Sequence, residues 1–76
     1  MITRAHIKQW VFDAVRDLGE ATPAAVAKHI WEQHEAELRT SGDLFYTWQY
    51  ESRWAAQNLQ KDGRLFKTGR TWKFIK

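Results

Sequence analysis

Cysteine is absent from this 76-residue chain, which excludes disulfide staples and thiolate metal sites. So short a chain buries little surface, and without staples its stability must come from a dense core. Proline occurs once and glycine four times, so few positions force a helix to stop. No apolar run approaches the roughly 20 residues of a membrane span, and no signal peptide opens the sequence. The expectation is a soluble, cytoplasmic, single-domain protein. Catalytic patterns are missing too. There is no HExxH, no phosphate-cradling glycine loop, no Ser/His/Asp arrangement and no paired acidic motif. His29 and His34 are five residues apart and do not share a helical face, and His6 falls in the first turn of a helix. The expectation is a non-enzyme with no metal and no cofactor.

Aromatics are plentiful instead. Five Trp and four Phe can supply the missing burial, since each large ring removes roughly 150–250 Å² from water. Charge is unevenly distributed. Through Asp43 there are five Lys/Arg against seven Asp/Glu, a balance of −2; from Leu44 onward there are seven against two, a balance of +5. A basic half that is also rich in aromatics suggests a side facing a polyanion.

Three helical stretches emerge in order. Ile7, Trp10, Val11, Ala14, Val15 and Leu18 recur at amphipathic spacing, with Thr3 as N-cap, Gly19 as the C′ residue and Phe12 off the stripe. Gly19–Ala21 reads as a short connection. Thr22-Pro23 then restarts a helix whose buried stripe is Val26, Ala27, Ile30 and Trp31, ending near Gln33 or running on to Leu38 or Arg39. Thr40–Asp43 is the one strongly loop-like cluster. Leu44–Tyr46 reads as a short strand or as the lead-in to the third helix, with Thr47 favoured over Asp43 as its N-cap and Gly63 as C′. The predicted helices cover about 4–18, 23–38 and 47–62. A hairpin follows over about 64–75, turning at Thr68-Gly69, with Leu65, Trp72 and Phe74 on one face. The expected fold class is mostly α with a small β-hairpin.

The third helix has two faces. Trp48, Ser52, Ala55, Ala56 and Leu59 form a small apolar side that suits helix packing. Tyr50, Arg53, Trp54, Gln57, Gln60 and Lys61 form the other, an unusual set for a merely solvated surface. Arg53 and Gln57 are one turn apart, with Gln49 a turn before Arg53. Arg can contact guanine bidentately and Gln can do so with adenine. Tyr50 suits either a contact or a packed position, and for Trp54 a core position is favoured over a contact. Lys67 and Arg70 flank the hairpin turn, where cations can reach a phosphate backbone, while Lys73 and Lys76 on the second strand equally suit edge protection.

Helix, helix, helix and basic hairpin is the layout of a winged helix-turn-helix domain. The resemblance rests on Thr22-Pro23, on Leu59-Gln60-Lys61-Asp62-Gly63-Arg64-Leu65 and on the wing sequence LFKTGRTWKFI, and it covers nearly the whole chain. Within that superfamily, Arg53-Trp54-Ala55 with Leu59 and Gly63 resembles the N-terminal domain of Mrr-type restriction endonucleases. In that family the arginine stands a few residues before the tryptophan and a nuclease domain follows. Here the two are adjacent, and the 76 residues hold no nuclease counterpart. Only the docking mode is therefore carried over. It implies double-stranded DNA as partner, with the third helix in the major groove and the wing along the backbone or minor groove.

The candidate DNA contacts are Gln49, Tyr50, Arg53, Gln57, Gln60, Lys61, Lys67 and Arg70. The acidic first and second helices would face away, open to a protein partner or a homodimer. Transcription regulation, whether phage-encoded or host, and restriction-related targeting are all compatible. Two other readings use the aromatics. One is a protein-interaction module built on Tyr50 and Trp54, and the other is recognition of modified or single-stranded nucleic acid.

Overall fold

The computed structural model describes residues 2–74 and holds three helices and a small antiparallel sheet. In order these are α1 (Arg4–Leu18), β1 (Glu20–Ala21), α2 (Pro23–Arg39), α3 (Leu44–Lys61), β2 (Leu65–Thr68) and β3 (Thr71–Phe74). The fold is mostly α with a β-hairpin, as the sequence pattern predicts. Lys76 and the end of the expected hairpin at Ile75 lie outside the described residues.

Helix α1 starts where Thr3 turns its backbone N–H to His6 Nδ1 (3.0 Å), a capping contact in which the imidazole takes the usual glutamate's place. Its stripe of Ile7, Trp10, Val11, Ala14 and Val15 is buried. Leu18, expected on the same stripe, is 44% exposed, because it is the last helical residue before Gly19 turns the chain away. Phe12 leaves the stripe to pack against Phe74 of β3 at 5.5 Å between ring centroids.

The connection after Gly19 is more than a loop. Glu20 and Ala21 form β1, paired with Lys73 and Trp72 of β3, so the sheet order is β1-β3-β2. The Phe74 N–H also donates to the Gly19 carbonyl (3.1 Å). This third strand ties the base of the hairpin to the corner between α1 and α2.

Thr22 caps α2 through its Oγ1, which accepts from the Ala25 N–H (3.1 Å), with Pro23 in the first turn where its missing donor costs nothing. The helix runs to Arg39, but His34 departs from helical geometry (φ −130°, ψ 20°). Both sequence alternatives are thus partly realised: one continuous helix, broken in direction at His34. The kink leaves Leu38 fully buried. Ser41 Oγ donates to the Leu38 carbonyl (2.6 Å) and Thr40 Oγ1 to that of Glu37 (3.1 Å), satisfying the end of the helix.

Helix α3 begins three residues before the expected start, with Asp43 rather than Thr47 as N-cap. The physical reason is packing. Leu44 packs against the core and Phe45 meets Trp31 of α2, and the Phe45 and Tyr46 N–H groups bond the Gly42 and Asp43 carbonyls (both 3.0 Å), so the first turn forms there. Thr47 lies inside the helix and donates to the Asp43 carbonyl (3.3 Å). Trp48, Ser52, Ala55, Ala56 and Leu59 are all buried, as the apolar face requires. Glu51 is buried too, at 7% exposure. Its carboxylate is held by Arg4, with Nε 2.7 Å from Oε2 and Nη2 donating to Oε1 (3.1 Å).

Gly63 terminates α3 at φ +77°. Its N–H bonds the Gln60 carbonyl (3.1 Å) and that of Arg64 reaches the Leu59 carbonyl (2.9 Å), the paired bonds of a Schellman motif. The hairpin turns one residue later than expected, on Gly69-Arg70, with Thr68 opposite Thr71. Gly69 has φ +60° and no other residue of the turn has positive φ, the pattern of a type II′ hairpin. That register puts Leu65 opposite Phe74 and Lys67 opposite Trp72, so all four leave the sheet on the helix-facing side.

Candidate nucleic-acid interface

The hairpin stands beside α3, and a cleft of about 570 Å³ opens between them. Arg53, Gln57 and Gln60 form its helix wall, Lys67, Gly69 and Arg70 its wing wall, and Pro23 and Trp72 its floor. The strand register explains Lys67. Opposite Trp72, its side chain must leave the sheet on the inner face, toward α3. The cleft continues along α3 into a smaller hollow of about 200 Å³, where Gln49 and Ser52 join Arg53 over Pro23 and Ala24. Beyond Gln49 a shallow depression of about 450 Å³ lies between α2 and the start of α3, lined by Ala27, Lys28, Trp31, Phe45 and Trp48. The run from Gln49 to Gln60 covers about 16 Å of helix, at 1.5 Å per residue.

Six of the eight expected contact residues thus border one continuous concavity: Gln49, Arg53, Gln57, Gln60, Lys67 and Arg70. Tyr50 and Lys61 do not line it. They lie with Trp54 on the outer shoulder of α3, where positions 50, 54 and 61 share a row. Tyr50 is 74% exposed and Lys61 is exposed. Trp54, expected as core, is 39% exposed and lies under the Arg4 guanidinium, whose carbon is 5.1 Å from the ring centroid. Its displacement follows from geometry: the core side of α3 is already filled by Trp48, Ala55, Ala56 and Leu59, which lie well round the helix from position 54.

The cations fall into two groups. Arg4, Lys8, Arg16 and Arg39 each pair with a carboxylate: Glu51, Asp62, Asp13 and Glu35 respectively. Among the described residues, Lys28, Arg53, Lys61, Arg64, Lys67, Arg70 and Lys73 form no such pair, and three of these seven, Arg53, Lys67 and Arg70, line the cleft. No acidic residue lines the cleft between helix and wing. Its positive charge is therefore uncompensated from within, and at low dielectric walls such charge acts on an incoming anion.

The histidines are engaged elsewhere. His34 stacks on Trp10 and its Nδ1 is 2.9 Å from Glu37 Oε1, while His29 Nε2 is 3.5 Å from Asp17 Oδ2. Among the described residues, no three His, Cys, Asp or Glu side chains cluster as metal ligands do. No helix among them is long and apolar enough to cross a membrane.

Sequence reasoning missed Trp72 and Pro23 as the floor of the cleft, and Tyr46 altogether. Tyr46 is 83% exposed, one turn before Tyr50. Its signal was present in the i, i+4 spacing of the two tyrosines, but the expected helix began after it. No family model matches the chain, and neither a curated protein nor a solved structure matches it.

Proposed function

We propose that this chain is a non-catalytic DNA-binding domain, placing α3 in the major groove of a duplex and the wing along the phosphate backbone. The observation that carries the reading is the convergence of Arg53, Gln57 and Gln60 with Lys67 and Arg70 on one concavity free of lining carboxylates. An α-helix with its side chains is about 10–12 Å across and fits a major groove about 12 Å wide. Arg53, Gln49 and Gln57 then supply base-edge contacts. Lys67 and Arg70 contact phosphates, which fix position and orientation without reading sequence. Helix α1 and the C-terminal part of α2, which carries Glu32, Glu35 and Glu37, line neither the cleft nor its extension and are open to a protein partner or a second copy. Such a module serves transcription regulation, or the targeting of a DNA-processing system.

The test is an NMR titration with duplex DNA at low salt. Shifts should map to the exposed side of α3 and to residues 67–70 of the wing. The Arg53→Ala, Gln57→Ala double variant should keep its fold, since both side chains are exposed, and lose most of its affinity. Unchanged affinity in that folded variant would defeat the groove reading.

A second reading is favoured by one observation, the exposure of Tyr46, Tyr50 and Trp54 at i, i+4 and i+8 on α3. Exposed Tyr, Trp and Arg are the residue types enriched at protein hot spots. Lack of any duplex binding at low salt would favour this protein-interaction module, because a basic cleft should bind DNA weakly under those conditions whatever the sequence.

A further inference from the structure

The outer side of α3 presents, in order, Tyr46, Gln49, Tyr50, Arg53, Gln57 and the half-buried Gln60, with Trp54 and Lys61 beside Tyr50 along its edge. In the major groove adenine offers N7 as acceptor and its N6 amine as donor, which a glutamine amide matches bidentately. Thymine offers a methyl that apolar and aromatic side chains contact. Guanine is matched by Arg or Lys, and the cytosine amine by an acidic acceptor. This side holds three glutamines and two tyrosines against one arginine and one lysine, and no acid. We infer that the site reads A·T-rich duplex, with the glutamines on adenines and the rings of Tyr46 and Tyr50 on thymine methyls. The inference rests on the DNA-binding reading above and specifies its ligand.

Tyr46 is the residue that this adds to the interface. Among the described residues it is the most exposed large hydrophobic side chain, at 83%. Its ring is nevertheless held in place, edge-on to Phe45 with centroids 5.1 Å apart and planes at 81°. Phe45 in turn meets Trp31 of α2 at 6.3 Å. An exposed ring braced by an aromatic contact loses less freedom on docking than a loose one. Tyr50 follows one turn on, so the two rings can meet methyls on neighbouring base pairs, with Gln49 between them along the helix and Arg53 one turn beyond Gln49.

The experiment measures affinity of the full chain by fluorescence anisotropy for duplexes of equal length, one A·T-rich and one G·C-rich, at fixed salt. The A·T-rich duplex should bind roughly tenfold more tightly or better, since one bidentate base contact already supplies that order of discrimination. Replacing thymine by uracil removes only the methyls, and should weaken binding several-fold in the parent protein but not in a Tyr46→Ala, Tyr50→Ala variant. Replacing adenine by 7-deazaadenine removes N7 and should weaken binding by a similar factor. Equal affinity for the two duplexes overturns the A·T inference while leaving duplex binding intact. So does an A·T preference that survives both base replacements, because it would then come from the minor groove. Binding to neither duplex at low salt overturns the DNA-binding reading itself, and the inference with it.

Discussion

The indole of Trp10 and the imidazole of His34 lie face to face, with centroids 3.8 Å apart and planes 7° from parallel. The stack sits where α2 leaves helical geometry, so the kink and the ring contact occur at one residue. Beyond it, Leu38 reaches the core with no exposed surface. An aromatic pair of this kind contributes about 0.5–1.5 kcal/mol beyond its buried area. His34→Ala should therefore cost about 1 kcal/mol in urea denaturation, and His34→Phe, which keeps a ring, distinctly less. Trp10→Ala also opens a cavity and should cost about 3–5 kcal/mol, most of the margin of a small domain. Equal stability of the His34→Ala and parent proteins would show that the stack is incidental.

Gly63 stands at φ +77° and links the end of α3 to the start of the wing through two backbone bonds. No heavy atom lies within 4 Å of where a Cβ would project, so the only cost of a side chain there is conformational. Gly63→Ala should destabilise the fold by about 1–2 kcal/mol, the cost of holding an L-residue in the left-handed region. Chemical denaturation measures it directly, and a neutral or stabilising substitution would mean that the turn relaxes to another geometry.

Much of this architecture was legible because it is local. The i, i+3, i+4 stripe of Ile7, Trp10, Val11, Ala14 and Val15 defines α1 without reference to anything else. Thr22-Pro23 and Gly63 punctuate the other helices by their own backbone preferences. Alternation in the hairpin placed Leu65, Trp72 and Phe74 together, although the turn moved by one residue. What was not legible depends on distant partners. β1 is two residues long, too short to show alternation, and exists because β3 offers it an edge. Glu51 looks like a surface residue until Arg4, 47 positions earlier, neutralises it at the α1–α3 contact. Trp54 was expected to fold back under the hairpin or against the start of α2; instead Arg4 of α1 lies over its ring from outside. Within the candidate site, spacing alone grouped Arg53 with Gln57. It could not say that Tyr50 and Lys61 lie on a different shoulder from the cleft, since that depends on where the wing stands.

Asp62 caps the C-terminus of α3, where the helix dipole disfavours a negative charge. Lys8 of α1 offsets this by donating to Asp62 Oδ2 at 2.8 Å. That hydrogen bond, then the charge of Lys8, and more weakly the charge of Arg64, hold the Asp62 carboxyl below the usual carboxylate range. A carboxyl with a depressed value in the folded state contributes stability that is present above its unfolded value and lost as pH falls through the folded one. The stability difference between the parent and Lys8→Met should therefore be present at neutral pH and shrink in acid, below the ordinary aspartate range. Carbon-detected NMR titration should find the Asp62 carboxyl moving up toward its ordinary value in Lys8→Met. An unchanged titration would remove the ion pair as the cause.

Lys67 and Arg70 approach the proposed ligand from the wing, whereas Arg53 and Gln57 approach it from the helix, and the two pairs should fail differently when removed. A phosphate contact releases condensed counterions, so each one adds about 0.9 to the slope of log affinity against log salt for duplex DNA. The Lys67→Ala, Arg70→Ala variant should bind all duplexes more weakly by a similar factor and flatten that slope by about 1.8, if each side chain holds one phosphate. Gln57→Ala should leave the slope nearly unchanged and instead reduce discrimination between duplexes, by about 1–3 kcal/mol at the base it contacts. Both side chains of the wing pair are exposed and neither is in the core, so the variant should fold. Salt titrations of the three proteins on one pair of duplexes separate the roles. A wing variant whose slope equals that of the parent would place the backbone contacts elsewhere, with Lys61 on the outer shoulder of α3 the first residue to examine.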